Sequence, residues 1–134
     1  MRAGDRVFFE PGSSILDERA RVVLAAQARW MALRDQIIAV IEGHASEQAQ
    51  KEDQIVELSR RRAAAVRNYL MEQGIAESRL FVRPVGRRQP IATCPSSACA
   101  AQNRRVVTVL KMRAQNLAGE PVGQSAAAST RTAR

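Results

Sequence analysis

The sequence predicts an α+β fold, a two-layer sandwich of order β-α-β-α-β-β with two long helices on one face of a four-stranded mixed sheet. Three observations carry this expectation. Two stretches, residues 17–34 and 51–73, place apolar side chains at helical spacing. Short runs rich in β-branched residues flank them, and turn residues punctuate the boundaries. The chain has 134 residues, 46% of them hydrophobic, enough for one compact core and too few for two.

The first strand is RVFF, residues 6–9, stopped by Pro11-Gly12. Asp17 is the expected N-cap of the first helix, with Glu18 in its first turn and the stripe Leu16, Ala20, Leu24, Ala28, Met31 on its buried side; the helix should end near Arg34. IIAVIE, residues 37–42, is continuously apolar and predicts a central strand covered on both faces. After Gly43-His44 and a polar stretch, the second helix spans about 51–73 and stops at Gly74 in the C′ position. LFVRPV, residues 80–85, predicts a third strand, and Pro84 points to an edge or a strand end. Residues 87–103 read as loop with a helical turn near 98–102, and VVTVL, residues 106–110, is the last strand. The domain is expected to occupy residues 1–112. Residues 113–134 are small and polar without apolar periodicity, the composition of a flexible C-terminal tail.

The formal charge of +8, from 21 Lys+Arg against 13 Asp+Glu, favours acidic partners. Nucleic acid is disfavoured, because only 4% of residues are aromatic and neither zinc-ligand spacing nor an aromatic-basic run occurs. The chain has no apolar run of membrane-spanning length and no secretory signal at its start. An export signal or anchor is therefore expected outside this sequence. Cys94 and Cys99, in C-P-S-S-A-C, favour a disulfide over a metal site, since the lone His44 is far away in sequence. Two free thiols are the alternative. His44 itself is expected to cap the second strand and bond locally. No cofactor is implied. Ser46 and Ser59 have no histidine base and no carboxylate pair stands out, so an enzyme is disfavoured.

One residue breaks the pattern. Ile55, Leu58, Arg62, Ala65, Val66 and Tyr69 fall on one narrow stripe of the second helix, with the arginine in its middle. A guanidinium there must snorkel past the helix edge or meet an anion. It is either a structural ion pair, with Glu42 or Glu10 as partner, or a clamp for a ligand carboxylate, which its planar fork suits. Arg60 and Arg67 point elsewhere, as solvated charges.

The motifs I-E-G-H-A (41–45), L-S-R-R-R-A-A-A-V (58–66), Tyr69-Leu70, Gly74, G-R-R-Q-P (86–90) and N-R-R-V (103–106) occur in order. With V-F-F-E (7–10) and Trp30, they make the chain resemble the OmpA-like C-terminal domain family, its peptidoglycan-associated branch included, over about residues 5–112. The resemblance implies a periplasmic, non-catalytic module that holds peptidoglycan non-covalently through the diaminopimelate of the stem peptide. It further implies that the module is part of an outer-membrane or envelope-anchored protein. By the same resemblance Arg62 holds the ligand carboxylate, and Asn103, Arg104 and the backbone after the first strand line the pocket.

Several positions depart from the family. The acid that pairs with the ligand ammonium is Ser46 here, and the pocket asparagine is Ile55, ahead of Leu58. The loop glycine is missing (Gln48, Ala49). After the first strand Glu10 is retained, while the second acid is Gly12. The segment between His44 and Leu58 is one residue longer than usual. A serine offers the ammonium no counter-charge, so weakened binding is expected. Glu47, next in a loop of altered length, is a candidate replacement; otherwise it is a solvated side chain. The competing function is an envelope protein-protein interaction module on the same scaffold that has lost peptidoglycan binding.

Overall fold

The computed structural model describes residues 6–47, 50–87 and 101–113. Within them the chain runs β1 (Arg6–Phe8), α1 (Glu18–Ala32), β2 (Ile37–His44), α2 (Glu52–Glu72), a 3-10 turn (Glu77–Arg79), β3 (Leu80–Gly86) and β4 (Arg105–Met112). The four strands form one sheet in the order β1-β4-β2-β3. Pairings β1–β4 and β2–β4 are antiparallel and β2–β3 is parallel. The expected two-layer α+β architecture with a mixed sheet is the one observed.

Local chemistry sets the boundaries. The Asp17 carboxylate accepts the Ala20 N–H at 2.8 Å, an N-cap that satisfies one of the orphan amides opening α1. At the start of α2 the Gln54 side-chain oxygen accepts the Lys51 N–H at 2.9 Å. Gly74, at φ +100°, carries the chain out of α2 through a left-handed conformation. Pro84 lies in the edge strand β3, where its missing N–H costs no ladder bond.

The core lies between the sheet and the helices. Leu24, Ala28 and Met31 of α1 and Val66 and Leu70 of α2 meet Val7, Ile41, Leu80 and Val106 of the strands. Each large side chain so buried contributes on the order of 1.5–3 kcal/mol. A smaller cluster of Ala45, Ile55 and Leu58 sits where the chain leaves β2 and α2 begins.

Alternation along β2 turns Ala39, Ile41 and Gly43 towards the helices and Ile38, Val40, Glu42 and His44 to the other face. That second face is not covered by a layer of described residues, contrary to the expectation for residues 37–42. Ile38 is nevertheless buried, while Phe8 and Phe81 on the same face are half-exposed. The cysteines Cys94 and Cys99, the loop positions Gln48 and Ala49, and most of the expected tail lie outside the described residues.

Candidate functional site

The site is built around Arg62. Its side chain is wholly buried, 0% exposed, in the face that α2 turns to the sheet. Nε donates to the Ser13 carbonyl at 2.7 Å, Nη1 to the His44 carbonyl at 3.0 Å and Nη2 to the Glu10 carbonyl at 3.2 Å. One guanidinium thus ties α2 to the end of β2 and to the segment after β1. The Phe9 ring lies against it, 5.3 Å from the guanidinium carbon to the ring centre.

The counter-charge is Glu47. Its Oε2 accepts from Arg62 Nη2 at 2.6 Å and from the Gly12 N–H at 2.8 Å, and its Oε1 accepts from the Ser46 N–H at 3.2 Å. Burial on its own pushes the Glu47 carboxyl up. The Gly12 bond, followed by the hydrogen bond and charge of Arg62, outweighs it and holds the carboxyl below its ordinary value. For Arg62 burial dominates and lowers the guanidinium from its ordinary value against the pull of Glu47.

Both expectations for the partner of Arg62 are corrected. Glu42 projects from the opposite face of the sheet and pairs there with Arg83 at 2.8 Å. Glu10 meets Arg62 through its backbone carbonyl, its side chain being exposed. Glu47 is not a solvated side chain, since it is only 13% exposed. Nor is the guanidinium fork open for a bidentate ligand. Three of its bonds go to backbone carbonyls, and a single edge faces a carboxylate.

Among the other predicted residues, Arg104 donates from Nε to the Phe9 carbonyl at 2.8 Å, so Arg62 and Arg104 grip adjacent peptide groups of the segment after β1. Glu10 and Arg104 also line an open groove of about 240 Å³ with Phe8, Phe9, Asp17 and Gln102. Asn103 is buried just before β4. Ser46 is half-buried and contributes its N–H. Ile55 and Leu58 lie in the small core cluster beneath the site, 0% and 1% exposed.

His44 ends β2, but its ring makes no local hydrogen bond of the kind expected. It is 2% exposed, and neither ring nitrogen has a hydrogen-bond partner; Glu42 Oε1 lies 3.9 Å from Nε2. Burial, with Arg105, Arg83 and Arg6 nearby, lowers its pKa to about 4. Arg60 is solvated as expected, whereas Arg67 is half-buried. Among the described residues no group of three or more His, Cys, Asp or Glu could hold a metal, and no helix is long and apolar enough to cross a membrane.

The model of the OmpA family matches residues 8–104, a span that runs from β1 to the edge of β4 and contains Arg62, Glu47 and Gly12. The chain belongs to the OmpA family. This OmpA-family chain is 43% identical over 107 residues to a peptidoglycan-associated lipoprotein of Mesorhizobium japonicum, covering 80% of this chain and 63% of the relative. It is 39% identical over 110 residues to a peptidoglycan-associated lipoprotein of Brucella melitensis, covering 82% and 65%. The chain thus spans a little under two thirds of the length of these curated relatives. Among solved structures, the peptidoglycan-associated lipoprotein of Burkholderia pseudomallei superposes with a TM-score of 0.77 at 25% identity, covering 80% of this chain and 90% of that one.

Sequence reasoning singled out Arg62 and the backbone after the first strand, but neither the particular groups there, the Ser13 carbonyl and the Gly12 N–H, nor the full part played by Glu47. The signal for Glu47 was the loop length. A carboxylate displaced by one residue from the expected acid position, opposite a buried arginine, is the acid that the arginine needs.

Proposed function

We propose that this chain is a non-catalytic domain of the bacterial envelope that binds peptidoglycan non-covalently, on the periplasmic side, as part of a larger anchored protein. The contact is with the diaminopimelate of the stem peptide, whose carboxylate goes to Arg62 and the Gly12 N–H, with the groove along Phe8, Glu10 and Arg104 receiving the neighbouring peptide. One observation carries this reading. Arg62 and the Gly12 N–H already coordinate a carboxylate oxygen, at 2.6 and 2.8 Å, where the family motif calls for a carboxylate clamp.

The experiment is co-sedimentation with purified sacculi, followed by titration with a diaminopimelate-containing muropeptide and with its lysine counterpart. Binding to sacculi with preference for the diaminopimelate form is expected. Absence of both would reject the reading in favour of an interaction module for other envelope proteins. That alternative draws on Ser46, which stands where the family motif has the acid for the ligand ammonium.

A further inference from the structure

Arg62 makes four hydrogen bonds, and three of them end on carbonyl oxygens of residues 10, 13 and 44. Those three fix the guanidinium but do not neutralise it. Neutralisation comes from the fourth, to Glu47 Oε2, and the same oxygen takes the Gly12 N–H. Two donors from segments 50 residues apart in the chain therefore converge on one oxygen atom. That is the geometry of an anion cradle, and the anion in it is the protein's own side chain.

The exposures separate cradle from occupant. Arg62 is 0% exposed and Glu47 13%, so the guanidinium reaches no solvent while the carboxylate that covers it does. Gly12, at φ +68°, aims its N–H at the carboxylate from a turn outside the core. Glu47 follows the end of β2 by three residues and is held by no helix or strand of its own. It can leave without unravelling an element, whereas Arg62, in the middle of α2, cannot.

We propose that Glu47 is an internal stand-in for the ligand: its carboxylate fills the cradle of Arg62 and the Gly12 N–H, and a ligand carboxylate binds by displacing it. The inference rests on the peptidoglycan reading above and adds a competition to it. Removing Glu47 alone would leave a buried, unpaired guanidinium, which is strongly unfavourable. An incoming carboxylate restores the Arg62 and Gly12 bonds and the charge, leaving only the Ser46 N–H to find water, so displacement is close to balanced. The cost falls on affinity. A tethered competitor acts at an effective concentration in the millimolar range, against which a free ligand must compete. The depressed carboxyl of Glu47 keeps the competitor ionised well into acid.

Calorimetric titration of the full chain with a diaminopimelate-containing muropeptide tests the exchange, using the parent, Glu47→Ala, and Glu47→Gln. The glutamine keeps a neutral acceptor for both donors and guards against misfolding. Both variants are expected to bind at least about tenfold more tightly than the parent, the charged competitor having been removed in the alanine and replaced by a weaker neutral one in the glutamine. In the parent, NMR titration of the Glu47 carboxyl at saturating muropeptide should show its pKa returning to the ordinary range as it moves to water. If the parent binds and the variants bind equally or less well, or if the Glu47 carboxyl stays depressed with ligand bound, the exchange is overturned while the peptidoglycan reading stands. If neither parent nor variants bind, both fall.

Discussion

A Cβ on Gly43 would lie 1.9 Å from the Ser59 carbonyl oxygen, because here α2 rests directly on β2. The contact is with helix backbone, which cannot rotate out of the way. Gly43→Ala should therefore push α2 off the sheet and cost about 1–3 kcal/mol, seen as a fall of several degrees in the thermal midpoint; an unchanged midpoint would mean that the helix yields freely. On the other face, His44 links stability to pH. Its folded pKa of about 4 lies below the ordinary 6.5, so between these values the unfolded chain binds a proton that the folded chain refuses. The His44 contribution to stability should fall as pH drops from about 6.5 to 4, by a total on the order of 3 kcal/mol, and level off below. Denaturant titrations across this window should show the slope in the parent and lose it in His44→Leu. Glu47 acts lower: its depressed carboxyl stabilises the fold above its ordinary value, and that contribution is lost as pH falls through the folded one. At this scale the sequence was half legible. Arg62 stood out because an arginine on an apolar stripe must be neutralised, but its partner lay in a loop without periodicity, where only the altered loop length pointed to Glu47.

Between elements, two polar side chains fasten what the hydrophobic core brings together. Ser59 Oγ donates to the Val56 carbonyl at 2.7 Å and accepts the Gly86 N–H at 3.1 Å, joining α2 to the end of β3. Arg79, in the 3-10 turn before β3, donates to the carbonyls of Met31, Arg34 and Ile37 at 2.9, 2.7 and 2.9 Å. It gathers the last turn of α1 and the first residue of β2, adding a second donor to the Met31 and Arg34 carbonyls, which already accept the Arg34 and Ile37 N–H groups. Arg79→Ala should cost about 1–3 kcal/mol, with the faster amide exchange confined to residues 30–38 if the loss is local. Arg79→Lys should recover only part, since an ammonium cannot reach three carbonyls in a planar fan. Neither fastening was legible. An arginine in E-S-R beside a turn looks like any solvated charge, and its acceptors are backbone groups more than 40 residues away. The elements themselves were legible, through the Asp17 cap, the Gly74 stop and Pro84, because each reflects a constraint contained within a few residues.

The sheet order makes the two ends of the domain interdependent. β4 is the last strand in sequence, yet it lies inside the sheet, hydrogen-bonded to β1 on one side and β2 on the other. No local signal in the sequence specifies that insertion; it follows from the register in which Val106 meets both Val7 and Gly43. Past β4, the Arg113 N–H donates to the Gln36 carbonyl at 2.6 Å, beside the start of β2. The residues after it, beginning AQNLAGEPVG, carry little apolar surface with which to offset the entropy of ordering. We therefore expect the boundary of the cooperative unit at Arg113. A chain ending there should unfold within a few degrees of the parent's midpoint, while one ending at Arg104 should not fold, because it strips a central strand and leaves β1 and β2 unpaired along facing edges. Thermal denaturation of the two truncations decides the matter. A drop of about 4–8 °C or more in the first, equivalent to roughly 1 kcal/mol in a domain of this size, would place part of the unit beyond Arg113.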